Sequence, residues 1–258
     1  MSLSCATFAL SAVARKQCAT PSPMPELSVV IPLHNEASLA REVVSGWLGT
    51  LELLGVDFEM LLYNDGSTDG TGEILDRLAA VSPALKVVHQ TNRGHGPTIL
   101  RGYMTAAGTW VLQADGDGEV SASFFADLWQ KRERFDLLIG CRTGRGLSPA
   151  RNFLTAAARA TVGVAFGTAI RDVNSPFRLM RGEKLREAVP SIPPETFAPN
   201  VILSGLAVSR RWRIYQANVP HRPRDDGAGL QLSPRFWRSA AQSCAQTFRV
   251  ALSEATGR

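Results

Sequence analysis

Residues 109–119 read TWVLQADGDGE, an apolar run that ends in two aspartates separated by one glycine. The run predicts a strand buried on both faces, which places Asp115 and Asp117 at its carboxyl end, where open α/β sheets bind ligands. Two carboxylates on a tight Gly116 turn, with Glu119 two residues on, can face one divalent cation that holds a nucleotide diphosphate. Alone, such a triplet is also typical of a solvated turn, so the rest of the chain decides between these interpretations.

Apolar strand-like runs alternate with helical spacing through the first half of the chain. The predicted order is strand 27–32, helix 37–54, strand 58–63, helix 71–81, strand 86–89, helix 97–107, strand 109–114, helix 121–135 and strand 136–141. Asn35 is the expected N-cap of the first helix, and Thr68 or Asp69 that of the second. This alternation predicts an α/β fold with a single Rossmann-like, doubly wound and mostly parallel sheet.

The second half is less regular in sequence. It predicts a helix over 151–166, a proline-rich loop over 190–199 and a strand over 212–219. Residues 230–258 are expected to form a C-terminal amphipathic helix, centred on 234–254, whose apolar face is predicted to carry Phe236, Ala240, Cys244, Phe248 and Ala251. Residues 1–24 are expected to be a disordered leader outside the fold, with Met24 as an alternative start.

Composition narrows the partners. The chain has 258 residues, is 45% hydrophobic and carries a formal net charge of +5, with a pI of about 9.3. This charge favours a phosphate-bearing partner or an anionic membrane surface, whereas no basic stretch interleaved with aromatics points to nucleic acid. The four cysteines lack C-x-x-C spacing, which fits a reducing compartment rather than a zinc site or a disulfide framework.

Two further loops follow predicted strands. Residues 32–36 read PLHNE and residues 64–70 read NDGSTDG. Asp65 could accept a hydrogen bond from a base or a ribose hydroxyl, and Gly66 would allow close approach of the backbone, although an Asx-type turn is the alternative. His34 is interpreted as a polar surface residue. Because no glycine-rich phosphate-binding fingerprint occurs, a metal ion would have to neutralise a bound diphosphate.

Four ordered segments then carry a resemblance to a known family. SVVIPLHNE, NDGSTDGT, the Asn92–Arg93–Gly94 loop and ADGDGE resemble the family-2 glycosyltransferases with the GT-A fold. The segment DVNSPFRL at 172–179 and RDDG at 224–227 are similar to the D-x-x-S-G-F-R-L and R-x-x-G segments of the dolichyl-phosphate mannosyltransferase-like, polyprenyl-phosphate branch. The resemblance implies a GT-A domain over 25–229, with a nucleotide-sugar half at 25–120 and an acceptor half at 121–229.

The resemblance also implies roles for individual residues. It assigns Mg²⁺ or Mn²⁺ to Asp115, Asp117 and Glu119, acceptor phosphate to Arg142, Arg151 and Thr155, and catalytic roles to Asp117, Arg142, Arg151 and Arg224. The implied nucleotide-sugar residues are Pro32, Leu33, Asn35, Glu36, Asp65, Gly66, Ser67, Gly94, Asp115, Gly116 and Arg224. Pro176 replaces the branch's glycine, and Gly227–Leu230 lacks its serine and lysine, which leaves the sugar and the acceptor open.

The acceptor can be narrowed by its chemistry. A hydroxyl acceptor needs a general base, and between positions 190 and 208 Glu195 is the only carboxylate. A phosphate acceptor is already anionic and needs only positioning, which arginines provide. The sequence therefore favours inverting transfer of a sugar from a GDP- or UDP-sugar to a polyprenyl phosphate, by a peripheral protein at the cytoplasmic membrane face. A hydroxyl acceptor and a catalytically silent nucleotide-sugar-binding protein are the alternatives.

Overall fold

A computed structural model describes residues 24–143, 149–167, 170–220 and 234–256 of the chain, without the side chains of 149–155 and 234–236. One seven-stranded sheet has the order β3-β2-β1-β4-β6-β5-β7. Its strands are β1 (Leu27–Leu33), β2 (Phe58–Asp65), β3 (Leu85–Gln90), β4 (Trp110–Gln113), β5 (Leu137–Thr143), β6 (Arg178–Arg181) and β7 (Ile214–Pro220). Only β6 runs antiparallel to its neighbours β4 and β5, so the predicted α/β, mostly parallel sheet is confirmed.

Helices cover both faces of the sheet. They are α1 (Ala40–Leu53), α2 (Thr71–Ala79), α3 (His95–Thr105), α4 (Phe125–Lys131), α5 (Pro149–Phe166), α6 (Gly182–Ala188), α7 (Pro199–Ser209) and α8 (Pro234–Thr256). One apolar cluster packs α1, α2 and α4 against one face, and a second packs α3, α5, α7 and α8 against the other. Alternate residues of β1 enter the two clusters, Val29 on one side and Val30 on the other, which is why its sequence is apolar throughout.

The structure corrects several local predictions. The first helix begins at Ala40 with no side-chain cap, and Asn35 instead has a positive φ of 56° and accepts a hydrogen bond from the Thr68 amide through Oδ1 at 2.8 Å. The N-cap of α2 is Gly70, although Asp69 does accept the Thr71 amide at 3.1 Å. Three elements that the sequence analysis did not predict, β6, α6 and α7, lie in the second half.

Helix α8 is also turned differently from the prediction. Its buried residues are Ser243, Thr247, Val250 and Ala251, whereas Phe248 is 41% exposed. Small and hydroxyl side chains therefore fit against α5 and α7, and part of the apolar face points outward. Within the described residues, no helix combines the length and the apolar composition needed to cross a bilayer.

Candidate active site

The carboxyl ends of β1, β2 and β4 meet at one edge of the sheet. The parallel register pairs Leu33 with Asn64 and Val30 with Gln113, so the loops that follow these strands lie side by side. They enclose a cavity of about 240 Å³. The predicted site residues that line it are Pro32, Leu33, Glu36, Asp65, Gly94, Asp115, Gly116 and Asp117. His34, Asn92 and His95 also line it, although none of the three was predicted to bind a ligand.

Asp65 organises the loop that borders this cavity. Its Oδ1 accepts hydrogen bonds from Gln90 Nε2 at 2.7 Å and from the Arg93 amide at 2.8 Å, and its Oδ2 accepts from the Gly94 amide at 2.9 Å. The carboxylate is 4% exposed. Charge-assisted hydrogen bonds hold this buried carboxylate, and they come from the Gln90 side chain and from the two backbone amides of the 93–94 turn.

Gly66 and Ser67, which were also predicted to bind the nucleotide sugar, do not line this cavity. Gly66 has a φ of 70°, and a Cβ placed there would lie 2.6 Å from the Asn92 amide nitrogen. Ser67 Oγ accepts a hydrogen bond from the Asn35 amide at 3.0 Å. In the structure, the close approach that requires glycine at position 66 is to the Asn92 backbone, and the predicted approach of a bound base stays a prediction.

His34 lies between these two loops and lines the cavity. Its Nδ1 is 2.8 Å from the carbonyl oxygen of Asp65, which fixes Nδ1 as the protonated nitrogen because a carbonyl only accepts. Asn92 Nδ2 lies 3.3 Å from Nε2 of the same ring. The prediction of a polar surface residue is correct for its exposure, but missed that the ring ties the two loops together; only its position directly after a strand could have indicated this.

The 115–117 turn is packed tightly against the end of β1. A Cβ on Gly116 would lie 2.8 Å from Leu33 Cγ and 2.9 Å from the Pro32 carbonyl oxygen, so a larger residue would push the turn away from the sheet. Asp115 Oδ1 is buried and accepts no hydrogen bond, and it lies 3.7 Å from Nε2 of His95. The fold therefore holds a carboxylate oxygen inside the site without satisfying it.

Negative charge is concentrated around Asp117. Burial raises the pKa of Asp117 above its ordinary value, and the neighbouring carboxylates Asp115, Glu119 and Glu36 raise this pKa further. Its Oδ1 accepts the Glu119 amide at 3.0 Å. Among the described residues, no three carboxylate, histidine or cysteine side chains converge in an arrangement that alone could hold a metal ion. A cation here would need oxygen ligands from a bound phosphate or water.

Arg142, at the end of β5, forms a nearly buried ion pair with Asp172. Its Nε and Nη2 reach the two carboxylate oxygens at 2.9 and 3.1 Å, and the side chains are 11% and 8% exposed. Burial lowers the pKa of Arg142, but Asp172 more than offsets this, and Asp115 and Glu119 raise the pKa further. The guanidinium therefore lies within electrostatic reach of the acidic turn, and its observed partner is a carboxylate of the protein.

Three further predicted site residues, the acceptor residues Arg151 and Thr155 and the donor-closing Arg224, have side chains outside the described residues. The backbone of α5 includes Arg151 and Thr155, but their side chains lie outside the described residues. Arg224 falls in the segment 221–233, which also lies outside them. Their predicted roles therefore stay predictions.

The 172–178 segment is held by hydrogen bonds to β5 and α7. Ser175 Oγ donates to the Gly140 carbonyl at 2.6 Å, and the fully buried Arg178 donates to the carbonyls of Ser175, Val173 and Asn200 at 2.8 to 3.3 Å. These bonds tie β5, β6 and α7 together. The segment that carries part of the family resemblance therefore fixes the backbone on which Asp172 meets Arg142.

Comparison with known proteins agrees with this architecture. Residues 28–188 match the family model described as glycosyl transferase family 2. An undecaprenyl-phosphate 4-deoxy-4-formamido-L-arabinose transferase of Pseudomonas fluorescens is 26% identical over 80% of this chain and 60% of its own length. A dolichyl-phosphate beta-glucosyltransferase of Trichomonas vaginalis is 24% identical over 74% of this chain and 61% of its own. The chain thus spans about 60% of the length of both relatives.

A solved structure shares the fold. Glucosyl-3-phosphoglycerate synthase from Mycobacterium tuberculosis, in complex with Mn²⁺, uridine diphosphate and phosphoglyceric acid, superposes with a TM-score of 0.63 at 19% identity. The match covers 88% of this chain and 78% of that one. The predicted GT-A fold is confirmed by this likeness.

Proposed function

The chain belongs to glycosyltransferase family 2, and on that premise we propose that it transfers a sugar from a GDP- or UDP-sugar to a polyprenyl phosphate, with inversion at the anomeric carbon. The observation that carries the proposal is the acidic turn at the carboxyl end of β4. It confines the charges of Asp115, Asp117 and Glu119 beside a cavity large enough for part of a nucleotide. The names of the two relatives, both transferases acting on a polyprenyl-type phosphate, support the acceptor.

The donor set of the turn fits Mg²⁺ or Mn²⁺. Both ions prefer oxygen ligands, and Mg²⁺ is usually held by one or two carboxylates together with substrate phosphates and water. The unsatisfied Asp115 Oδ1 and the crowded Asp117 supply such carboxylates. Because the described residues contain no complete protein-only ligand set, phosphate and water oxygens would have to complete the coordination. A bound ion would neutralise the diphosphate as it leaves.

The neighbouring loops would hold the nucleoside. Pro32 and Leu33 of the first loop line the cavity together with Asp65 and Gly94. Because Asp65 fixes the 93–94 turn through two backbone amides, we assign it to shaping the pocket, with any direct contact to the base through Oδ2.

Within the described 190–208 segment, the only carboxylate that could act as a general base is Glu195. Glu195 is paired with Arg93 at 3.1 Å, so the one carboxylate of the 190–208 segment is held by a cation. A phosphate monoester can attack without deprotonation, and attack in line with the departing diphosphate inverts the anomeric centre. Arg142 would steer the phosphate electrostatically, and direct contact would require the phosphate to compete with Asp172 for its guanidinium.

The free thiols Cys141 and Cys244 fit the reducing, cytoplasmic side of a membrane.

Product extraction tests the proposal. The full chain is incubated with radiolabelled UDP- or GDP-hexoses, Mn²⁺ and undecaprenyl phosphate in detergent, and the products are partitioned into organic solvent. We expect label in the organic phase with one nucleotide, and its loss on addition of EDTA. In a parallel reaction that also contains an oligosaccharide, label that stays in water as an enlarged glycan would favour a hydroxyl acceptor. Donor binding without transfer to either acceptor would favour a silent binding protein. Transfer that persists in EDTA would contradict the metal assignment.

Replacing Asp65 by asparagine should weaken nucleotide binding. The amide turns one acceptor oxygen into an N–H donor that faces the donors of the 93–94 turn, so about one or two charge-assisted hydrogen bonds are lost. We expect the Kd for the donor nucleotide, measured by calorimetry, to rise about 10- to 100-fold. Asp76→Asn is the matched control, because Asp76 is 60% exposed and contacts only His89 among the described pairs. An unchanged Kd for Asp65→Asn would contradict the assignment.

A further inference from the structure

Helix α8 presents a row of large apolar side chains to solvent. Trp237, Phe248 and Leu252 are 44%, 41% and 67% exposed, and at 3.6 residues per turn they fall on one side of the helix. We call these three residues the α8 ridge. It extends over about 22 Å of helix, at 1.5 Å per residue. Single exposed apolar residues are ordinary, but an aligned row on one helix indicates a surface that contacts something apolar.

The outward-facing charges of the described α8 side chains are positive. Arg238 and Arg249 are exposed and follow Trp237 and Phe248 directly in sequence. Glu254 is the only acidic residue of α8, and it turns inward to accept hydrogen bonds from Arg210 at 2.6 and 3.0 Å. The outward face of α8 therefore combines apolar side chains with positive charge, the combination by which interfacial helices bind anionic bilayers.

The ridge is joined to the candidate active site by one loop. Residues 190–194 form a groove of about 470 Å³ with Arg249, Val250, Ser253 and Glu254 of α8. The next residue, Glu195, is paired with Arg93 beside the nucleotide cavity, and the carbonyl of Thr196 packs against Gly96 at the start of α3. Consecutive Cα atoms are about 3.8 Å apart. The part of the 190–196 segment that contacts α8 is therefore only a few residues from the part that contacts the cavity loops.

We propose that the α8 ridge, with Arg238 and Arg249, docks on the surface of an anionic lipid bilayer. The apolar side chains enter the boundary between headgroups and acyl chains, and the two guanidinium groups meet lipid phosphates. Docking in this way holds the 190–197 loop at the membrane, where a polyprenyl phosphate is available. The surface deepens the proposed function but requires neither the acceptor nor the sugar for its detection.

Vesicle flotation of the full chain tests the surface. We expect the wild-type protein to float with vesicles of phosphatidylcholine and phosphatidylglycerol, and to bind weakly to phosphatidylcholine alone. The bound fraction should fall about tenfold in Phe248→Ser/Leu252→Ser and in Arg238→Gln/Arg249→Gln. The matched control is Leu53→Ser/Val81→Ser, which removes side chains that are 89% and 81% exposed at the ends of α1 and α2. Its binding should equal that of the wild type.

Three results would overturn the proposal. The wild-type protein does not float, the ridge variants float as well as the wild type, or the wild type is a dimer and only the ridge substitutions make it monomeric. The last would assign the ridge to a second copy of the chain. The vesicles contain no polyprenyl phosphate, so flotation is measured independently of sugar transfer. A protein that floats but shows no transfer in the extraction assay would overturn only the proposed function. Transfer to undecaprenyl phosphate in detergent, without flotation, would overturn only the ridge.

Discussion

Asp117→Asn is expected to lower sugar transfer about a thousandfold or more while raising the melting temperature of the metal-free protein. Asparagine keeps the Oδ1 that accepts the Glu119 amide, so the turn keeps its geometry. The substitution removes a negative charge that is repelled by the charges of Asp115, Glu119 and Glu36. It also removes much of the electrostatic attraction for a divalent cation. Activity and stability should therefore change in opposite directions, which loss of folding cannot produce.

The pH dependence of the stability gain follows from the sign of the shift. The pKa of Asp117 is raised in the folded protein, so the stability that its protonated form contributes is present at low pH and lost as the pH rises above the ordinary value of 3.8. The difference in melting temperature between variant and wild type, measured in EDTA, should grow from pH 4 toward neutral pH.

Asp57→Asn is the control for this variant. Asp57 is exposed and precedes β2, at the opposite edge of the sheet, so its substitution should change neither transfer nor melting temperature. An Asp117→Asn protein that retained wild-type transfer would remove Asp117 from the active site. A variant that lost transfer together with stability would assign it a structural role.

The strand-end loops could be predicted because their signals are local. Parallel strands buried on both faces appear as continuous apolar runs, and the polar residues that follow them necessarily share one edge of the sheet. Asp65, Asp115 and Asp117 were placed on this basis, and the structure brings them to one cavity. The positions of these three side chains could thus be predicted because each lies at or just after the end of a strand.

Helices and strands without a regular alternation of apolar and polar residues were not predicted. Helix α7 reads PNVILSGLAVS and is buried over nearly its whole length, so it lacks the polar stripe by which a helix is recognised. Strand β6 has four residues and begins with the fully buried Arg178, a residue type rarely found in that environment. In both cases the tertiary surroundings, rather than the local sequence, decide the structure.

Contacts between distant residues were also beyond the sequence. Arg142 pairs with Asp172, thirty positions away, but no sequence pattern predicts this pair. The resemblance suggested a phosphate as the partner of this arginine. Likewise, Asp65 has amide partners 28 and 29 positions away. A sequence pattern gives the residue types at a site, but their hydrogen-bond partners depend on how the loops pack.

Asp172→Ala is expected to destabilise the protein by about 3–5 kcal/mol, because it leaves the Arg142 guanidinium in a nearly dry position without its carboxylate. Urea unfolding measures the loss. Asp127→Ala is the control: Asp127 is 49% exposed and pairs with Lys131 one helical turn away, so its removal should cost less than about 1 kcal/mol.

The double variant Arg142→Met/Asp172→Asn separates the structural role of the pair from its role at the phosphate. Methionine removes the buried charge, and the asparagine can still accept the amide of residue 142, which Asp172 accepts at 3.3 Å. Stability should therefore return to within about 1 kcal/mol of the wild type. If Arg142 steers the acceptor, transfer should remain at least tenfold reduced although donor binding is normal, with the loss falling mainly on the KM for undecaprenyl phosphate. Transfer that recovers together with stability would leave Arg142 a purely structural partner of Asp172, and the acceptor phosphate would then depend on other cations.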